Sequence, residues 1–179
     1  MAETMQKIIG ISLLITSLNL SIASPLIAQS KNDYPVVSSA EVYPDIKQIW
    51  SKIVQIKDPY EGDYLAIFDR NDIQFNPTLS NQVISVWTRQ KVNFVLRYEE
   101  TIIRLYLKLG DHLFILEGKN NVFEINDELA MELANALSNK RVTIRLVLDN
   151  GIKINSDIGE ETVKAWNVLY QIPKSSKAF

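Results

Sequence analysis

The chain has 179 residues, no cysteine, one histidine and a formal charge of −2. Those counts exclude a disulfide framework, thiol catalysis, cysteine-held metal and any site needing two histidines. The near-balanced charge gives no electrostatic basis for a nucleic acid or an anionic membrane as partner.

The first thirty residues read as a secretory signal peptide. Lys7 supplies a positive n-region, Ile8 to Ala23 an apolar h-region, and Ser24 to Ser30 a polar c-region opened by Pro25. Ala28-Gln29-Ser30 offers small residues before a cut ahead of Lys31; Ser21-Ile22-Ala23 is the second choice, and Met5 is an alternative start. As a helix the apolar run would reach only about 24 Å, short of the roughly 30 Å hydrocarbon core. The expectation is a secreted or periplasmic protein with no membrane span once the signal is cut. Removing residues 1–30 takes Lys7 and Glu3, so the charge stays at −2.

Residues 31–44, with Pro35 and Pro44, read as a flexible, exposed lead-in. The 149 residues after the signal fit one domain, assigned to 45–179, able to bury about 68–70% of its unfolded surface, enough for a core without covalent staples. In "DIKQIWSKIVQI", Ile46, Ile49, Trp50 and Ile53 follow the helical spacing, and Asp45 with Gln48 makes a capping box. A short N-terminal helix is expected there, although Trp50, Val54 and Ile56 also suit one side of a strand.

From Tyr64 the pattern is that of strands: "YLAIFD", "DIQF", "VISVWT", "VNFVLRY", "IIRLYLKL", "HLFILEG" and "VFEI". In the fifth, Ile103, Leu105, Leu107 and Leu109 alternate with Ile102, Arg104, Tyr106 and Lys108, the period of a half-buried strand. Breaks at Glu99-Glu100, at Gly110-Asp111 (a type II′ hairpin) and at Gly118 to Asn121 are too short for parallel crossovers, so the runs form an antiparallel meander. "NDELAMELANALSN" reads as a helix capped by Asn126 or Asp127, with Leu129, Leu133 and Leu137 inward and Asn139 left-handed after its end. Val142, Ile144, Leu146 and Leu148 alternate up to Asn150-Gly151, a type I′ hairpin signal. A last helix, with Asp157 and Glu160 as capping box, turns Val163, Trp166, Leu169 and Tyr170 inward before Pro173. The expected fold class is α+β: a mainly antiparallel sheet, as a sandwich or partial barrel, with two C-terminal helices against it.

Few residues suggest chemistry. His112 follows a turn, where it could act as a general base oriented by Asp111 or Glu117. No Gly-x-Ser-x-Gly elbow supplies a nucleophile, and no glycine pattern cradles phosphate. "FDRND" sets Asp69, Arg70 and Asp72 in what reads as one tight connection, as paired carboxylates or, more simply, as a polar turn. The catalytic candidates are therefore Asp69, Asp72, His112 and Glu117, and the binding candidates Trp50, Tyr64 and Arg70. Trp87 and Trp166 read as core. No metal site and no cofactor are expected. The segment "IWSKIV…YLAIFDRNDIQF…VISVWTRQ" resembles the tryptophan–strand–aspartate–strand pattern of small secreted bacterial proteins of the surface-adhesin E type. No site residue is carried over from that resemblance. The leading expectation is an exported, non-catalytic binding module for a protein, peptide or glycan. The alternatives are a cofactor-independent hydrolase using paired carboxylates and a structural or assembly factor of the cell envelope.

Overall fold

The computed structural model describes residues 33–39, 49–76, 79–96 and 100–173, with side chains except those of 71–82 and 96. The expected signal peptide and the expected Asp45–Gln48 capping box lie outside the described residues. Residues 33–179 form one compact unit.

Its elements in order are β1 (Val36–Ser38), β2 (Ile53–Lys57), β3 (Tyr64–Asn76), β4 (Leu79–Thr88), β5 (Lys91–Leu96), β6 (Ile102–Leu109), β7 (His112–Glu117), β8 (Val122–Glu124), α1 (Asp127–Ala134), β9 (Val142–Leu148), β10 (Lys153–Ile158) and α2 (Glu160–Leu169). The fold is α+β, with two sheets and no closed barrel. One sheet has the order β1-β2-β3-β4-β5-β8, the other β10-β9-β6-β7. All pairings are antiparallel except β1 with β2, which is parallel.

The main core lies between the sheets and under the helices. Ile67, Trp87 and Phe94 reach it from the six-stranded sheet; Leu105, Leu107, Ile144 and Leu146 from the four-stranded one; Leu129, Leu133 and Trp166 from the helices. Its centre is aromatic. The Trp87 and Trp166 rings sit 4.5 Å apart, and Phe94 stands edge-on to Trp87 at 6.2 Å. Trp87 Nε1 donates to Ser85 Oγ at 2.8 Å, which removes the cost of burying its polar edge.

A second cluster, Val54, Ile56, Ala66, Phe68 and Val86, occupies the other face of the six-stranded sheet. Ile49, Trp50, Val37 and Tyr64 pack on it. That explains the apolar runs of β2 and β3: both of their faces are buried, so alternation of polar and apolar residues is lost.

Several expectations are corrected. The short helix expected over 45–56 gives way at Ile53–Lys57 to β2, the strand alternative, with Val54 and Ile56 on one side. Val36–Ser38, within the expected lead-in, form β1 against Gln55–Lys57. "FDRND" is not a turn. It lies inside one 13-residue strand, with Asp69 opposite Ser85 and Asp72 opposite Gln82. The Asn150-Gly151 turn is not type I′: only Gly151 has positive φ (83°), and its N–H bonds Leu148 C=O at 2.9 Å. That is a three-residue loop ending in a left-handed glycine. The type I′ turn is instead Asn120-Asn121 (φ 52° and 64°), closed by reciprocal bonds between Lys119 and Val122 at 3.0 Å.

The helices are shorter than their patterns. α1 ends at Ala134, leaving Leu137 exposed and Asn139 outside the left-handed region. Asn167 Nδ2 from α2 lies 3.0–3.1 Å from the carbonyl oxygens of Leu133, Ala134 and Ala136, meeting the acceptors a longer helix would have used internally. Asp157 does not cap α2. It belongs to β10 and is held by Arg141 at 2.8 and 3.0 Å, while Gly159 takes the N-cap position without a side-chain bond.

Candidate binding surface

The sequence candidates do not meet in one cleft. Asp69 is 2% exposed on the core side of β3. Its Oδ1 lies 2.6 Å from Thr162 Oγ1 in the first turn of α2, and that hydroxyl lies 2.9 Å from Ser51 Oγ. One hydroxyl carries one proton, so Thr162 donates to the carboxylate and Ser51 donates to Thr162. Neither hydroxyl is a base that could activate the other. The trio ties the approach to β2, the middle of β3 and the N-terminus of α2 together, and a carboxylate is favoured at that helix end. Ser51 holds a φ of 57°, fixed by its N–H on Phe68 C=O at 2.7 Å.

Asp72 stands further along β3, its side chain outside the described set. Glu117 is in the other sheet, at the end of β7, paired with Arg104. His112 opens β7 with Nδ1 3.4 Å from Glu132 of α1, beside a depression of about 230 Å³. Asp111 and Lys140 line the same depression, and no hydroxyl nucleophile does. Among the described residues no group of three acids and histidines is placed to hold a metal ion.

Trp50 is half-buried over the second cluster, with the Arg70 guanidinium 5.0 Å above its ring. Tyr64 packs on the same cluster, and burial, with Asp58 and Glu61 nearby, pushes its phenol up. Asp58 itself sits below the usual carboxylate range, because it accepts the N–H groups of Glu61 and Tyr60 at 2.9 and 2.8 Å. These groups shape the covering of the second cluster and the β2–β3 turn.

The open surface is elsewhere. On the four-stranded sheet the register lines up three outward rows across β10, β9, β6 and β7. They are Lys153, Val147, Arg104 and Glu117; Asn155, Arg145, Tyr106 and Ile115; and Asp157, Thr143, Lys108 and Leu113. Because strand side chains alternate, the opposite face of the same strands is the core face. Val147 in the first row is buried, whereas Lys153, Arg145, Asn155 and Lys108 are exposed, and a depression of about 500 Å³ lies over Tyr106, Lys108, Thr143, Arg145 and Asn155.

The face is cationic. With Arg141 at its margin it carries five basic groups and two carboxylates, in a chain whose net charge is −2. Glu117 accepts from Arg104, and Asp157 from Arg141; each contact pushes the guanidinium further into its charged form. Lys108, Lys153 and Arg145 have no carboxylate partner among the described residues. Arg145 Nε donates to Asn155 Oδ1 at 2.7 Å. That bond fixes the guanidinium plane and leaves its terminal N–H groups to face a bidentate acceptor. Leu113 and Ile115, 56% and 54% exposed, add an apolar margin along β7.

The sequence reading missed this face. Its signal was present in the outward halves of β6 and β9, Arg104-Tyr106-Lys108 and Thr143-Arg145, but only the sheet order sets them side by side. No helix among the described residues is long and apolar enough to cross a membrane. No protein-family model, curated protein or solved structure matches the chain, so the adhesin-type resemblance carries nothing further.

Proposed function

We propose that the chain is an exported, non-catalytic binding module that docks an acidic, partly apolar polypeptide on the outer face of its four-stranded sheet. One observation carries the reading: a cationic face with exposed Lys108 and Lys153, an oriented and exposed Arg145 at its centre and exposed Leu113 and Ile115 at its margin, on a chain of net negative charge. Charge complementarity selects an anion, and the guanidinium fork selects a carboxylate. The apolar margin of exposed Leu113 and Ile115 favours a peptide over a glycan. Export is supported by the pattern of residues 1–30.

The reading is tested by fluorescence anisotropy with labelled poly-L-glutamate, beside polygalacturonate and single-stranded DNA. Polyglutamate should bind best, should weaken as salt rises, and should lose at least about tenfold in affinity, about 1.4 kcal/mol, on Arg145→Glu. A preference for the glycan or the DNA, or an unchanged affinity in Arg145→Glu, would overturn it.

A further inference from the structure

The two sheets end in four edge strands, β1, β8, β10 and β7. β1 and β8 have three residues each, too short to template another strand. β10 runs against β3. β7 differs from all three: it has six residues, His112 to Glu117, without proline, and its outward side chains Leu113 and Ile115 are exposed. A free edge of this kind is normally covered or blunted.

The backbone on that edge has a definite polarity. A two-residue hairpin at Gly110-Asp111 makes Leu109 and His112 a hydrogen-bonded pair. Alternation then turns the amides of His112, Phe114 and Leu116 toward β6, and those of Leu113, Ile115 and Glu117 away from it. The bond from Gly118 N–H to Ile103 C=O at 2.9 Å continues the same alternation. Among the described residues no hydrogen bond reaches the three outward amides.

We propose that β7 is a self-association edge, on which a second copy of the chain pairs antiparallel about a two-fold axis at Ile115. An antiparallel partner must offer its own outward residues at the hydrogen-bonded positions. Centred on Ile115, the two copies pair Leu113 with Glu117 of the partner copy, Ile115 with Ile115, and Glu117 with Leu113, so every outward amide is used. The same register sets Phe114 opposite Leu116 on the inner side. At each end exposed Asp111 faces exposed Lys119 of the other copy, a complementary charge pair. Moving the axis to Phe114 uses fewer outward amides of β7 and puts Glu117 opposite Asp111, a repulsive pair. The surface is thus isologous, as a closed two-fold requires. It joins two four-stranded sheets into one of eight and brings the two cationic faces edge to edge.

The absence of cysteine makes the test clean. The full chain carrying Ile115→Cys should crosslink to a dimer under mild oxidation, much faster than a Tyr60→Cys control, whose site is 95% exposed at the β2–β3 turn. Sedimentation equilibrium should find the wild type dimeric. Ile115→Pro removes an outward N–H that β6 does not use, which an edge strand tolerates; it should give a monomer with unchanged circular dichroism. If that variant does not fold, Ile115→Lys serves, and should raise the dimer dissociation constant at least about tenfold. A wild type that stays monomeric at several hundred micromolar, or equal crosslinking at the two positions, would overturn the proposal. Arg145 lies off β7, so Arg145→Glu should leave the dimer intact; failure of the docking reading and failure of this one are distinguishable.

Discussion

Asp69 shows how a residue's meaning depends on where its strand runs. In the sequence it stands in a cluster of turn-forming residues; in the fold it is buried with its carboxylate against Thr162. Removing Asp69 takes the charged acceptor from the buried Thr162 hydroxyl and leaves it only Ser51 Oγ. Asp69→Ala should therefore lower stability by about 2 kcal/mol, read as a shift in the urea midpoint, while polyglutamate affinity in the folded variant stays unchanged. A loss of affinity with unchanged stability would assign Asp69 to a site instead. Asn121 presents the opposite balance. Its left-handed φ of 64° favours glycine, yet its Oδ1 accepts the Ile102 N–H at 2.6 Å and its own C=O accepts Phe94 N–H at 2.9 Å. Asn121→Gly keeps the backbone bond, relieves the φ and loses the side-chain bond. The bond to a half-buried N–H is the larger effect, so the variant should be less stable by about 1 kcal/mol, measured by thermal melting.

Elements were legible where one face is solvated and the residues that end them are local. In β9 the alternation of Val142, Ile144, Leu146 and Leu148 passes directly into burial. In β6 the alternation holds from Arg104 onward, but a register shift between Ile102 and Arg104 buries Ile102 and exposes Ile103, reversing the expected parity. The polar residues at 69–72 imitate a break in β3, yet pairing with β4 runs straight through them. The β4–β5 hairpin has no glycine at all. Thr88 Oγ1 closes it, donating to Lys91 C=O at 2.9 Å and accepting Lys91 N–H at 3.1 Å. The end of α2 docks on this turn: Tyr170 Oη donates to Thr88 C=O at 2.9 Å, and Arg89 Nε donates to Ile172 C=O at 3.0 Å. Burial pushes the Tyr170 phenol well up from its usual range. The folded state thus holds that proton where the unfolded chain releases it, so the stabilisation is complete below about pH 10 and falls as pH rises beyond it. Tyr170→Phe should flatten this alkaline decline, followed by denaturant titration from pH 8 to 11; an equal decline in both proteins would contradict the assignment.

At the scale of the molecule β2, β3 and part of β4 in the six-stranded sheet are buried on both faces, and the four-stranded sheet on one. Periodicity alone could not assign the first, because two cores erase the alternation that a single core leaves in the sequence. Phe68, fully buried in the second cluster, makes that concrete. Phe68→Ala should lower stability by about 3–5 kcal/mol, as much as a large truncation in the main core, if the covering of this face is part of the fold. The binding face was out of reach for a related reason: its rows join residues from 104 to 157, and no local spacing reports which strands become neighbours. The most direct measurement of the docking account is a two-dimensional amide NMR titration of the isotope-labelled protein with poly-L-glutamate. The account predicts shift changes concentrated on Tyr106, Lys108, Thr143, Arg145 and Asn155. Changes centred on Trp50, Tyr64 and Arg70, or none at saturating polyglutamate, would contradict it.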